Sequence, residues 1–127
     1  LAIFYLIGYP LVNEYILSSG VSAERSEAAQ YIKEKTKDGD TIYAWDTSAS
    51  LYQKSSRLSA VSLLTPTLYV GTAENRLGLQ KGLENSQPKY ILVNNDVKLL
   101  SDVKQLISQN YKEADLKLDY FKLYQLK

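Results

Sequence analysis

The sequence predicts a small α/β domain built on a layered, Rossmann-like sheet. The sheet is expected to be mostly parallel, with a C-terminal antiparallel hairpin and helices on its faces. Helical and strand-like segments alternate along the chain, which is the pattern of helix-connected strands. Residues 41–46 and 89–94 are almost free of charge, as strands buried on both faces are. After Tyr111 the apolar spacing changes from helical to alternating, which indicates the hairpin.

Composition limits the chemistry that the chain can perform. Its 127 residues suffice for one domain, and 45% hydrophobic with 23% charged residues is ordinary globular composition. Fifteen basic and 14 acidic side chains leave a net charge of +1, so nothing favours nucleic acid as a partner. The chain has no Cys and no His, and therefore lacks thiolates and the commonest general base and metal ligand. We expect no catalytic residue, no cofactor and no metal site.

The first twenty residues differ from the rest. Residues 1–12 carry no charge, and Asn13 and Glu14 end this run. Twelve helical residues reach only about 18 Å, against about 30 Å for the hydrocarbon core of a bilayer. The run is either the end of a longer membrane helix or a helix packed on the domain. We divide the chain into residues 1–20, a juxtamembrane segment or the end of a last membrane helix, and residues 21–127, a soluble α/β domain.

The first predicted helix of the domain covers residues 22–37. Ser22 is a suitable N-cap, and Gly39 is suited to the left-handed conformation that ends a helix. Apolar residues at helical spacing predict its buried stripe. This stripe contains Ala28, Ala29, Ile32 and Thr36.

Residues 41–46 follow as a buried strand rich in β-branched and aromatic residues. A short helix holding Leu51 and Tyr52 comes next, and either Thr47 or Ser48 is in position to cap it.

The middle of the chain predicts a second strand over residues 57–64 and a loop over residues 65–71 around Pro66. Thr72 then caps a helix that buries Leu79 and Leu83. Two glycines lower the helical propensity of this segment. They are Gly78 and Gly82.

The last third contains the clearest strand, residues 89–94, and the most regular helix, which we expect Asp96 to cap. The apolar face of this helix contains Leu99, Leu100, Val103, Leu106, Ile107 and Asn110. Two antiparallel strands are then predicted by alternation. The inward residues are Leu116 and Leu118 in the first, and Phe121, Leu123 and Gln125 in the second.

One cluster is a candidate substrate-binding site. Asp46 ends the first strand, where ligand crevices form in open α/β sheets, and Trp45, Tyr52 and Arg57 are near it in sequence. Two aromatic rings, a carboxylate and a guanidinium can bind a sugar or a phosphate. The alternative is that Trp45 belongs to the core and Asp46 caps the next helix. Neither a G-x-G-x-x-G nor a P-loop motif is present.

Several short motifs follow one another in a characteristic order. They are Tyr31-Ile32-Lys33, Asp38-Gly39-Asp40, Ile42-Tyr43-Ala44-Trp45, Leu51-Tyr52, Ser56-Arg57, Pro88-Lys89-Tyr90-Ile91-Leu92-Val93, Tyr111 and Phe121-Lys122-Leu123-Tyr124. This order resembles the C-terminal extracytoplasmic domain of bacterial polytopic membrane glycosyltransferases of the dolichyl-phosphate-mannose–protein mannosyltransferase-like family. The resemblance covers roughly residues 22–127.

That resemblance implies a parent enzyme that uses a polyprenyl-phosphate sugar and whose catalytic acidic residue lies in a loop outside this sequence. The chain itself would then be non-catalytic, on the extracytoplasmic side of the cell membrane, and would aid acceptor binding. Its partners would be the membrane portion of the same polypeptide and a glycan, a lipid-linked sugar or a protein acceptor. Two other hypotheses remain: a freestanding α/β module that binds a small polar ligand such as a sugar or sugar phosphate, and a purely structural assembly domain.

Overall fold

A computed structural model describes residues 20–61, 66 and 73–127, with side chains from residue 78 onward in the last stretch. It has the predicted α/β class, with one five-stranded sheet in the order β2-β1-β3-β5-β4. The elements are α1 (described over residues 20–35), β1 (Thr41–Trp45), α2 (Ser50–Ser55), β2 (Leu58–Ser59), α3 (Ala73–Ser86), β3 (Tyr90–Asn94), α4 (Ser101–Asn110), β4 (Tyr111–Glu113) and β5 (Phe121–Leu126).

The sheet is mixed, and the prediction that it is mostly parallel is wrong. Strand β1 pairs in parallel with both β2 and β3, whereas β5 pairs antiparallel with β3 and with β4. The crossover through α4 is long enough to bring β4 back in the same direction as β3. The position beside β3 is nevertheless taken by β5, which returns antiparallel between β3 and β4. The predicted C-terminal hairpin is therefore present, but it extends the central sheet.

Helices cover both sides of the sheet. One side, which we call the α1/α2 face, buries Ala28, Ala29, Ile32, Ile42, Ala44, Leu51, Tyr90, Leu92, Phe121 and Leu123. The other, the α3/α4 face, buries Tyr43, Trp45, Leu79, Leu83, Ile91, Val93, Val103, Leu106, Ile107 and Tyr111. Because alternate residues of β1 and β3 contribute to both cores, the prediction of doubly buried strands is confirmed.

The first helix has the predicted stripe, but not the predicted start. Ala28, Ala29 and Ile32 are fully buried. Ser22 is not an N-cap, because the helix already includes residue 20. Gly39 adopts a φ of 101°, the left-handed conformation predicted for the end of this helix.

The caps of the later helices also differ from prediction. Ala49 is the N-cap of α2, while the Ser48 hydroxyl oxygen accepts a hydrogen bond from the Ser50 N–H over 3.2 Å. Leu100 is the N-cap of α4, without a side-chain capping bond. Asp96 does not cap that helix because α4 begins only at Ser101, and Asp96 lies in the turn that leaves β3, where its N–H donates to Asn94 Oδ1.

Strand β2 is much shorter than the strand predicted over residues 57–64, of which residues 62–64 lie outside the described part. The predicted cap Thr72 and most of the predicted loop, residues 65–71, also lie outside it. In α3, a Cβ at Gly82 would lie 2.6 Å from Val61 Cγ1, so the absence of a side chain lets this helix approach the end of β2 closely.

The hairpin begins earlier than predicted. Its first strand is β4, whereas Leu116 and Leu118 lie in the connection between β4 and β5. Both side chains nevertheless pack against the core of the α1/α2 face. The alternating apolar residues of this segment therefore come from a loop that packs on the sheet and not from a strand.

Candidate functional site: a groove at the carboxyl ends of β1 and β3

A buried ion pair closes the carboxyl end of β1. Asp46 is fully buried there, and Arg25 of α1 reaches it with two hydrogen bonds, Nε to Oδ2 at 2.6 Å and Nη2 to Oδ1 at 2.9 Å. Burial alone would raise the pKa of Asp46. The hydrogen bonds and charge of Arg25, with a bond from Asn94, outweigh it, so the pKa lies below its ordinary value.

Asn94 extends this pair to the neighbouring strand. Its Nδ2 donates to Asp46 Oδ1 over 2.9 Å, and the Thr47 N–H donates to the same oxygen over 2.7 Å. The Asn94 Oδ1 in turn accepts from the N–H of Asp96 over 2.9 Å. With a longer bond from the Thr47 hydroxyl, the carboxylate of Asp46 is held by five donors and joins α1, β1 and β3.

Beside this network lies an open groove of about 410 Å³. Its lining residues are Trp45, Thr47, Pro66, Asp96, Val97, Lys98 and Leu100. The Trp45 side chain is almost fully buried, and its Nε1–H donates to the carbonyl of Lys98 over 3.0 Å. The indole therefore forms part of a wall that is fixed to the loop after β3.

The topology of the sheet explains why a groove forms here. After β1 the chain runs to α2, whose Leu51 packs on the α1/α2 face; after β3 it runs to α4, whose Val103 packs on the opposite face. The two loops diverge from adjacent parallel strands and leave a crevice between them. This switch point is the usual ligand position in open α/β sheets.

Tyr52, another predicted binding residue, has a structural contact in this half of the sheet. Its hydroxyl oxygen accepts a hydrogen bond from the N–H of Ala44 over 2.9 Å. The Ala44 N–H is on the side of β1 that faces β2, because the Ile42 carbonyl on the same side accepts from the Ala60 N–H. The pairing with β2 ends at Ile42, so Tyr52 supplies the acceptor that β2 does not. Burial raises the pKa of Tyr52.

Arg57 lies at the other end of β1, where it holds the C-terminal end of α1. Leu58, which follows it, pairs with Thr41 at the start of β1. Only 6% of Arg57 is exposed. Its guanidinium donates to the Lys33 carbonyl, the Thr36 carbonyl and hydroxyl, the Ser56 carbonyl and the Asp38 carboxylate.

The predicted cluster is therefore divided. Trp45 ends β1, Asp46 follows it, and Tyr52 of α2 bonds to Ala44 nearby. Arg57 lies instead level with Asp40, about six residues or about 20 Å from Asp46 along the strand direction. Substrate binding by these residues stays a prediction. In the alternative interpretation, Trp45 belongs to the core, as the structure has it, but Asp46 receives its bonds from α1 and β3 and does not cap α2.

Arg25 and Asn94 were not among the residues predicted for the site, although both positions can be rationalised. Arg25 precedes Ala28 and Ala29 by three and four residues, so it lies on the buried stripe of α1 and needs a buried partner. Trp45 pairs with Val93 in the parallel register, which places the next residues, Asp46 and Asn94, side by side.

No group of three or more His, Cys, Asp or Glu side chains within the described residues could hold a metal ion. Among these same residues, no helix is long and apolar enough to cross a membrane.

A family described as "Putative competence-induced protein Ccs4 C-terminal domain" matches residues 22–127. The chain belongs to this family. Searches of curated proteins and of solved structures each found no match.

This membership overturns the resemblance to mannosyltransferase-like enzymes. The assignment as a glycosyltransferase domain is wrong, and the described residues give no support to calling the chain a membrane protein. The motifs that suggested it come from the buried strands, from helices α1 and α2 and from the turns beside them, and small α/β folds impose such patterns whatever their family. The boundary at residue 20 and the extracytoplasmic location beside a membrane stay predictions, since residues 1–19 lie outside the described part.

Proposed function

We propose that this domain binds a small ligand, without transforming it, in the groove at the carboxyl ends of β1 and β3. The observation that carries the proposal is the position of the groove. It lies between loops that leave adjacent parallel strands toward opposite faces, and its volume of about 410 Å³ falls within the range of small-molecule sites.

The state of the polar groups favours binding over catalysis. Acid–base catalysis needs a titratable group that is sheltered and still free to exchange a proton with the substrate. Asp46 is sheltered, but its carboxylate is committed to Arg25 and Asn94. Asp96 and Lys98 border the groove and are exposed to water.

The family description adds a context. It names the C-terminal domain of a competence-induced protein, which suits a domain that works as one part of a longer polypeptide. The remainder of that polypeptide would then be its first partner, and ligand binding at the groove would be its contribution to the whole.

Fluorescence of Trp45, the single tryptophan of the chain, provides a direct test. We expect at least one of benzyl alcohol, glucose and glucose 6-phosphate to change this fluorescence saturably, with amide NMR shifts concentrated at Thr47 and residues 96–100. Val97→Glu should abolish the response, because it places an unpartnered carboxylate in the groove.

Leu58→Glu is the matched control, since Leu58 is 77% exposed on β2 and lies outside the groove lining. It should bind as the wild type does. The proposal fails if none of the three probes binds, or if Val97→Glu and Leu58→Glu bind equally well.

A further inference from the structure

We propose that the ligand of this groove is an uncharged molecule with an apolar body of one or two rings. The inference rests on the proposed function and specifies the chemistry of its ligand. It departs from the sugar phosphate that the sequence suggested.

The first argument is the charge balance beneath the groove. The buried carboxylate of Asp46 is matched by the guanidinium of Arg25, which bonds it through two nitrogens. The amide of Asn94 is also used on both its sides, by Asp46 and by the N–H of Asp96. No net charge is left there to attract an ionic ligand.

The second argument concerns the border of the groove. Asp96 and Lys98 carry opposite charges two residues apart, and both are exposed. A ligand of either sign would meet one attractive and one repulsive group, and exposed charges contribute little because water and salt screen them.

The third argument concerns the walls. The apolar part of the lining consists of the partly buried Val97 and Leu100 and the buried Trp45 and Pro66. The indole N–H is already donated to the Lys98 carbonyl. A phosphate or ammonium placed there would lose its water without gaining a matched partner. An apolar ring displaces water from these walls at no such cost.

Three probes that share one ring separate the effect of charge from that of shape: benzyl alcohol, benzyl phosphate and benzylammonium. With the full chain at pH 7, titrations followed by Trp45 fluorescence and amide NMR should show benzyl alcohol binding at the groove. The dissociation constants of the two ions should be at least about fivefold higher, because a charge finds no compensation there.

If either ion binds less than about fivefold more weakly than the alcohol, or more tightly, the inference is overturned while the proposed function stands. If none of the three binds, but glucose or glucose 6-phosphate does, the outcome is the same. If no probe of either set binds, the proposed function itself fails.

Ionic strength supplies an independent readout. Between about 50 mM and 500 mM NaCl the affinity for benzyl alcohol should change less than about twofold, because charge screening has nothing to weaken. A larger fall would show that charged groups drive recognition, and would overturn the inference.

Discussion

The partly buried Arg25 and the buried Arg57 mark the two ends of β1, and they serve the fold in different ways. Arg25 pairs with one carboxylate, Asp46, which is itself fully buried. Arg57 divides its donors among carbonyl and hydroxyl oxygens, and its one carboxylate partner, Asp38, is fully exposed. The same side chain thus neutralises a charge at the carboxyl end of the sheet and terminates a helix at the amino end.

The difference lies in what remains when the arginine is removed. At the carboxyl end a buried negative charge would be left without compensation, which is among the most costly defects in a folded protein. At the amino end neutral carbonyl groups of α1 would lose their donors, while Asp38 would remain in water. The groove therefore lies next to the end of the sheet that depends most on a single contact.

The largest effect is expected from Arg25→Met. Loss of the guanidinium should lower the free energy of unfolding by about 3–5 kcal/mol, measured by urea denaturation at pH 7, because Asp46 keeps its charge inside the protein. The double variant Arg25→Met/Asp46→Leu should recover most of this loss, since no charge then remains buried. A loss below about 1 kcal/mol in the single variant would contradict the assigned role of the pair.

A smaller effect is expected from Arg57→Met, about 1–3 kcal/mol, because the acceptors at the end of α1 lose hydrogen bonds but carry no charge. Hydrogen exchange should rise in the last turn of α1 and remain unchanged around Asp46. Asp38→Asn is the matched control and should leave the urea midpoint unchanged, as its carboxylate is fully exposed. An effect of Arg57→Met as large as that of Arg25→Met would remove the distinction between the two ends.

Acid should weaken the ion pair at the carboxyl end of β1. Because the folded-state pKa of Asp46 lies below its unfolded value of about 4, the pair stabilises the protein fully above that pH. This contribution is lost as pH falls through the lower, folded-state pKa. Urea midpoints from pH 7 to 2 should therefore show a constant gap between wild type and Asp46→Asn above about pH 4, and a narrowing gap below it. A gap that is independent of pH would contradict this assignment, because it would show that folding leaves the pKa of Asp46 unchanged.

The smallest effect concerns a buried polar group between the two ends. The hydroxyl of Tyr43 is buried, and the described part of the chain offers it no hydrogen-bond partner; desolvation raises its pKa. Tyr43→Phe should leave stability unchanged or increase it by about 1 kcal/mol, because an unsatisfied group is removed.

Tyr111→Phe is the matched comparison, since the Tyr111 hydroxyl donates to the Pro88 carbonyl over 2.7 Å. That variant should lose about 1 kcal/mol. Equal losses in the two variants would show that Tyr43 has a bond of its own.

Much of the fold could be predicted from local pattern. The uncharged runs that become β1 and β3, the stripe of α1 and the left-handed Gly39 all depend on neighbours in sequence. Helix caps were predicted poorly, because Ser22 and Asp96 have the chemistry of caps, while the turns and helix starts around them depend on contacts elsewhere in the fold.

The candidate site shows the same division. Asp46 could be placed at the end of a strand from sequence, but its partner Arg25 lies 21 residues away in α1, and Arg57, which looked suitable, belongs to the other end of β1. Arg57 is close to Asp46 in sequence but not in space. It precedes β2, and because β2 runs parallel to β1, its first residue lies beside the first residue of β1, at the opposite end from Asp46.

The sequence by itself determined the α/β class, the strands buried on both faces and the absence of Cys and His, because composition and periodicity are properties of the chain alone. Only the tertiary structure decided that the sheet is mixed, that Arg25 neutralises Asp46, and that a largely apolar groove opens between β1 and β3. These features join residues from distant segments, and register and packing bring such residues together only in the folded state.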